Sequence, residues 1–184
     1  MIENNLKHGI DFYIHKDVHI GCKNNTVFGD HVAVDKGFYC TTKLAVGDYV
    51  HIGPYVGVIG SKESNLILGN FCFIAIGSKV IAGSDDYMSS NLIGPLIPKN
   101  LKKVILSTVK FEDYSGCGAN CIIMPGVVLS EGSLLLAGSV LNKDTKPWMI
   151  YAGNPARIIK ARDREKVLNQ ARIFKSGEKY EEQN

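Results

Sequence analysis

The segment Phe111–Leu141, "FEDYSGCGANCIIMPGVVLSEGSLLLAGSVL", decides the fold. An apolar residue returns at every sixth position: Phe111, Cys117, Ile123, Leu129, Leu135 and Leu141. Four residues after these positions a second small or apolar side chain recurs: Ser115, Cys121, Val127, Ser133 and Ser139. A helix needs a period near 3.6 and a plain amphipathic strand a period of 2, so this beat fits neither. It fits short strands joined by tight corners, where glycine relieves the steric cost of the turn.

Toward the N-terminus the same beat runs through Phe28, Val34, Cys40, Val46, Ile52 and Val58. After a slip at Gly60–Asn65 it continues through Leu68, Ile74 and Val80, and Ile14 and Ile20 belong to it ahead of another slip. The pattern predicts an all-β solenoid in which three hexads make one triangular turn. Turns stack at the ~4.8 Å spacing of a sheet, and each is buried only by its neighbours. The frame predicts between five and six turns. Cys40, Cys72, Cys117 and Cys121 fall in inward phases and read as small core hydrophobes.

Apart from these slips, the beat is interrupted by one long insert, at Val80–Ile105, "VIAGSDDYMSSNLIGPLIPKNLKKVI". A loop this long in a compact domain is usually functional or disordered. Tyr87, Leu92, Ile93, Pro95, Leu96 and Pro98 give it apolar anchors and stiffness, which predicts an ordered flap over a neighbouring subunit, with a solvated "PKNLKK" tip. The expected organisation is one domain over residues 1–184. It comprises a solenoid at 14–145 with an insert at 83–106, a connector at 146–157 carrying Pro147 and Pro155, a helix at 158–176 and a tail at 177–184. The helix is expected to cap the open end of the coil, which otherwise offers unpaired backbone.

A net charge of +3 and 45% apolar content describe a soluble globular composition. No apolar run approaches a membrane span, and the N-terminal residues lack a signal-peptide pattern. Five cysteines without a CxxC pair suit a reducing cytoplasm. Residues 1–140 carry 11 Lys+Arg against 12 Asp+Glu, whereas 141–184 carry 10 against 6. A solvated helix accounts for such an excess; so does a site for an anionic cofactor. No nucleic-acid motif accompanies it.

The hexad frame, the insert and the ending "VLNKDTKPWMIYAGNPARIIKAR" (140–162) together resemble the hexapeptide-repeat acyltransferases. The likeness is to the galactoside- and maltose-type sugar O-acetyltransferases and their relatives in O-antigen, capsule and lipopolysaccharide biosynthesis. It covers roughly residues 14–162. It implies a left-handed parallel β-helix, a homotrimer, and acetyl-CoA in the cleft between subunits. By register, Ala75, Ala119 and Ala137 would form the pantetheine groove, and Asn142, Lys143, Arg157 and Lys160 would hold the polar and phosphate groups.

The family's catalytic histidine slot, at the mouth of the insert, holds Asp85 here, preceded by Ser84. A carboxylate is a poor base toward an alcohol at neutral pH. Among His8, His15, His19, His31 and His51, the last matches by register a family position facing the acceptor, and Gly53 matches another. The expectation is therefore an exchange: His51 as general base, oriented by Asp85 from across the trimer cleft. Asp86 and Tyr87 would stand on the acceptor side; alternatively "SDD" is only a turn. Trp148 either packs on the connector or lines the cleft.

The expected activity is acetyl transfer from acetyl-CoA to a sugar hydroxyl in the cytoplasm. The alternative is N-acetylation of a nucleotide-linked amino sugar, where a free amine is already nucleophilic. A zinc carbonic anhydrase-like trimer or an inactive scaffold stands behind both. No metal is expected, because zinc needs about three converging histidines, and His19, His31 and His51 lie at irregular offsets.

Overall fold

The computed structural model describes residues 6–177. The chain winds into a left-handed parallel β-helix with three faces. The first face stacks β1 (Phe12–Ile14), β4 (Val32–Val34), β7 (His51–Ile52), β10 (Phe73–Ile74), β15 (Gly116–Cys117), β18 (Leu134–Leu135) and β20 (Met149–Gly153). The second stacks β2 (His19–Ile20), β5 (Tyr39–Cys40), β8 (Gly57–Ile59), β11 (Lys79–Ile81), β16 (Ile122–Ile123) and β19 (Val140–Leu141). The third stacks β3 (Thr26–Phe28), β6 (Lys43–Val46), β9 (Asn65–Leu68), β14 (Thr108–Phe111) and β17 (Val128–Leu129).

The hexad residues point inward on all three faces and are buried, from Ile14 and Ile20 through Leu141. Burying a Leu, Ile or Val side chain is worth roughly 1.5–3 kcal/mol, so the repeated column holds the coils together without a conventional two-layer core. The second inward position is equally buried. Its serines satisfy their hydroxyls locally: Ser78 Oγ donates to the Gly118 carbonyl and accepts from the Cys121 N–H. Cys40, Cys72, Cys117 and Cys121 are buried and free. Burial pushes the Cys72 thiol up to about 11, which suits packing rather than chemistry.

Seven strands stack on the first face, against the five to six turns expected. The extra length is at the C-terminal end, where the expected connector at 146–157 contains β20. Leu135 pairs with Tyr151, a spacing that breaks the hexad count and hid this coil. The expected helix start at residue 158 is also corrected. Ala156–Ala161 is a strand, β21, antiparallel to β20. Ile158 and Ile159 fit either structure, and the open edge of β20 supplies the hydrogen bonds that favour the strand.

The helix α1 is Arg164–Ser176, capped by Asp163 accepting from the Lys166 N–H at 3.0 Å. It does not cap the coil end; β21 covers that edge. The helix lies against a column of rings at the corner between the third and first faces. His31, Tyr49, Phe71 and Tyr114 stack with centroids 4.6, 4.8 and 5.2 Å apart, and Trp148 follows Tyr114 at 6.0 Å. Phe174 packs edge-on against Tyr49 and Phe71. Arg162 donates to the Tyr114 and Gly132 carbonyls and lies over Trp148. Trp148 therefore packs as the last ring of this column, over Gly132, whose backbone holds φ +67°. The tail expected at 177–184 lies, apart from Gly177, outside the described residues.

The insert is built on a hairpin. Strand β12 (Gly83–Asp85) pairs antiparallel with β13 (Val104–Leu106). The solenoid closes behind it, with β9 and β14 adjacent and Leu68 paired with Phe111.

Candidate active site

His51 projects from β7 on the first face. Its Nε2 lies 2.8 Å from Asp35 Oδ2. The register explains the contact: Val34 pairs with Ile52, so Asp35, just after β4, stands one coil below and two residues along from His51. An open hollow of about 410 Å³ beside it is lined by Ala33, Phe73 and the rings of His31, Tyr49 and Phe71. Sequence reading assigned the orienting carboxylate to Asp85 and missed Asp35. Its signal was in the frame, since an acidic residue directly after an inward Val repeats the Glu112 position.

Asp85 is placed elsewhere. Its Oδ2 accepts the Gly94 N–H at 2.7 Å, and its Oδ1 lies 4.0 Å from Lys102 Nζ. The expected His51–Asp85 pairing lies across two subunits, and these contacts are the ones Asp85 makes within its own chain. Asp86 Oδ2 pairs with Lys103 Nζ at 2.9 Å, and its Oδ1 accepts the Met88 N–H. The Lys103 contact holds the Asp86 carboxyl below the usual carboxylate range. "SDD" is thus both a strand end and an Asx turn. Tyr87 is exposed, with Met88 and Leu96 at 95% and 94% exposure. At the base of the insert Lys99, Lys102, Val104 and Leu106 meet Ser61 and Glu63 of the slip loop around a hollow of about 500 Å³. The insert and that loop are therefore neighbours.

The residues expected to hold CoA fall into two places. Asn142, Lys143 and Arg157 line one hollow of about 500 Å³ with Leu141, Tyr151 and Ala156. The Asp144 carboxylate also lines it and accepts the Val128 N–H at 2.8 Å. Two cations and an amide against that one carboxylate leave a net positive cavity, which suits a diphosphate. Lys160 lies further along β21, opposite Ile150. The small-residue groove runs along the corner between the first and second faces. Ile74, Cys117 and Leu135 are in register, which puts Ala119 and Ala137 in one column with Ile76. Ala75 stands one residue earlier, beside Gly118. Gly53 is buried, and a Cβ there would lie 2.9 Å from the Ile76 nitrogen. Its role is close packing of coils, which leaves it no surface to offer an acceptor.

His19 stacks on Tyr39 on the second face, His31 belongs to the ring column, and His51 is on the first face. The three do not converge. Among the described residues no group of His, Cys, Asp and Glu is placed to hold a metal. No helix among them is long and apolar enough to cross a membrane.

No family model matches the chain. It is 26% identical over 160 residues, 84% of the chain and 80% of the relative, to the dTDP-4-amino-4,6-dideoxy-D-glucose acyltransferase of Escherichia coli. It is 32% identical over 127 residues to a "Probable macrolide acetyltransferase" of Lysinibacillus sphaericus, covering 62% of the chain and 68% of the relative. The solved structure of a single-residue mutant of AntD, an N-acyltransferase from Bacillus cereus, in complex with dTDP-4-amino-4,6-dideoxyglucose and coenzyme A, superposes with a TM-score of 0.88. That match has 31% identity and covers 94% of this chain and 92% of AntD. The chain belongs to the hexapeptide-repeat acyltransferases, and its activity is CoA-dependent acyl transfer.

Proposed function

We propose that the protein is a homotrimer that transfers an acetyl group from acetyl-CoA to the amino group of a nucleotide-linked amino sugar. The observation that carries this reading is the chemistry at the insert's mouth. Within one chain Asp85 and Asp86 stand there on Gly94, Lys102 and Lys103, and His51, the histidine that the resemblance puts on the acceptor side, is held by Asp35 on another face. An alcohol needs a base to take its proton as it attacks. An amine does not.

Carboxylates suit an ammonium acceptor. An ionised carboxylate can accept about four hydrogen bonds, so Asp85 keeps capacity beyond the Gly94 N–H and the Lys102 ammonium 4.0 Å away. It would attract the ammonium, whose first proton passes to solvent. The neutral nitrogen then attacks the thioester carbonyl carbon. The C–N bond forms, the C–S bond breaks, and the second nitrogen proton leaves on the departing thiolate as free thiol. AntD, solved with an amino-sugar nucleotide and CoA along nearly the whole chain length, supports the same reading.

The trimer rests on the insert, whose exposed Met88, Leu92, Ile93 and Leu96 need a surface to cover. Lys143 and Arg157, with Asn142, would bind the CoA phosphates, and Ala119 and Ala137 would let the pantetheine approach the backbone. A second reading is favoured by one contact: the 2.8 Å His51–Asp35 pair has the form of a base and its orienting carboxylate, as a hydroxyl acceptor requires. Mass spectrometry of the product formed from dTDP-4-amino-4,6-dideoxyglucose and acetyl-CoA distinguishes the two. An amide on the sugar nitrogen supports the first reading; no product from the amine, with an ester formed on a hydroxyl sugar, overturns it.

A further inference from the structure

We infer that Ile76 sets the length of the acyl group, admitting acetyl and excluding chains of four carbons. The inference rests on the donor placement proposed above. The hollow of Asn142, Lys143 and Arg157 lies at the C-terminal coils. From β20, the seventh strand of the first face, to β10, the fourth, there are three coil steps, and at ~4.8 Å each they span roughly 14 Å. A pantetheine arm has about as many chain bonds as four residues, and so also reaches roughly 14 Å when extended. A donor anchored by its phosphates at that hollow and laid along the corner brings its thioester to the coil of β10.

That coil is where the column changes. Ala137 and Ala119 leave the backbone open, and the next member is Ile76, a β-branched side chain that is 50% exposed. It has no inward alternative. The Ile76 nitrogen is packed against Gly53, where a Cβ would come within 2.9 Å, and the adjoining inward positions are filled by Ile74 and Ser78. Beyond it in the column stands Pro54, by the pairing of His51 with Phe73. Ile76 and Pro54 therefore close the small-residue channel one step past Ala119. The insert leaves from the same coil, after β11, so the acceptor groups and this stop share one level of the solenoid.

The test compares acetyl-CoA with butyryl-CoA in wild type, Ile76→Val and Ile76→Ala, using dTDP-4-amino-4,6-dideoxyglucose as the probe acceptor and thiol release as the readout. One extra methylene in a fitted pocket costs about 10-fold or more. Wild type is expected to prefer acetyl-CoA by at least about that factor in kcat/KM. Ile76→Val should narrow the preference and Ile76→Ala should nearly abolish it. Calorimetry with each thioester in the absence of acceptor carries the same comparison should the probe not turn over. Equal use or binding of the two donors by wild type, or an unchanged preference in Ile76→Ala, overturns the assignment. Failure of wild type to bind CoA itself removes the donor placement as well, so the two failures are told apart.

Discussion

His51 and Asp35 sit on successive coils with Nε2 and Oδ2 2.8 Å apart, His51 in β7 and Asp35 directly after β4 of the same face. The carboxylate fixes one ring nitrogen and leaves the other free. With an amine acceptor this arrangement has little to add to the chemical step, because the proton can be lost after attack. His51→Ala should then change kcat by less than about 10-fold, below the usual contribution of a general base. With a hydroxyl acceptor the same substitution should cost roughly 10²–10⁴-fold, and Asp35→Asn should follow it in part. Initial rates on matched amine and hydroxyl sugars read the difference.

Lys143 and Arg157 face one cavity. Hydrogen bonds to charged groups are worth roughly 1.5–3 kcal/mol each. Replacing both by alanine should weaken CoA binding by at least about one such increment at low salt, measured by calorimetry. Lys160→Ala should do less, since Lys160 stands away from that cavity. Unchanged affinity in the double variant would leave the basic C-terminal segment without a ligand.

The insert should bury its apolar side chains between copies of the chain. Multi-angle light scattering at micromolar concentration should give three times the monomer mass. Replacing Leu92, Ile93 and Leu96 together by serine should shift the mass toward monomer, and retention of a full trimer by that variant would contradict the assigned interface.

Gly132 carries φ +67°, and a Cβ there would lie 2.3 Å from Trp148 Cε3. Gly138 has a similar φ of +71° with nothing within 4 Å. Both alanine variants bear backbone strain of about 1–3 kcal/mol, but only Gly132→Ala also displaces the indole. Chemical denaturation should show a larger loss for Gly132→Ala, and equal losses would mean that the ring column adds nothing at this corner.

Asp86 is held below its usual range by Lys103. A group with a depressed native pKa stabilises the fold fully above its unfolded value, near pH 4, and less as pH falls through the native value. The thermal midpoint of Lys103→Met should therefore lie below that of wild type at neutral pH and converge with it in acid. A gap that stays constant from pH 7 to below about pH 3 would show that the pair does not carry this linkage.

The hexad positions were legible because one inward side chain per strand is all this fold needs, and Phe28, Val34, Cys40 and their successors are buried as the beat requires. What escaped is what the beat does not encode. Tyr151 belongs to the coil but arrives out of step. Ile158 and Ile159 fit a strand as well as a helix, and only the unpaired edge of β20 chooses. The ring column was hidden because its members sit at corners, in the left-handed region from His31 to Trp148, where a propensity argument would have placed glycine. At the site, Lys143 and Arg157 line one cavity and Ala119 and Ala137 share one column, as their places in the register require. Asp35 beside His51 escaped although the acidic residue stood in the frame, because a carboxylate sixteen residues away becomes a neighbour only through the coil.

The most direct test is thiol release from acetyl-CoA with dTDP-4-amino-4,6-dideoxyglucose against dTDP-glucose, which offers hydroxyls alone at the same sugar. The account predicts turnover with the amino sugar, a stable amide product, and kcat/KM lower by orders of magnitude with dTDP-glucose. Comparable turnover of dTDP-glucose, abolished by His51→Ala, would contradict it and assign the site to hydroxyl transfer.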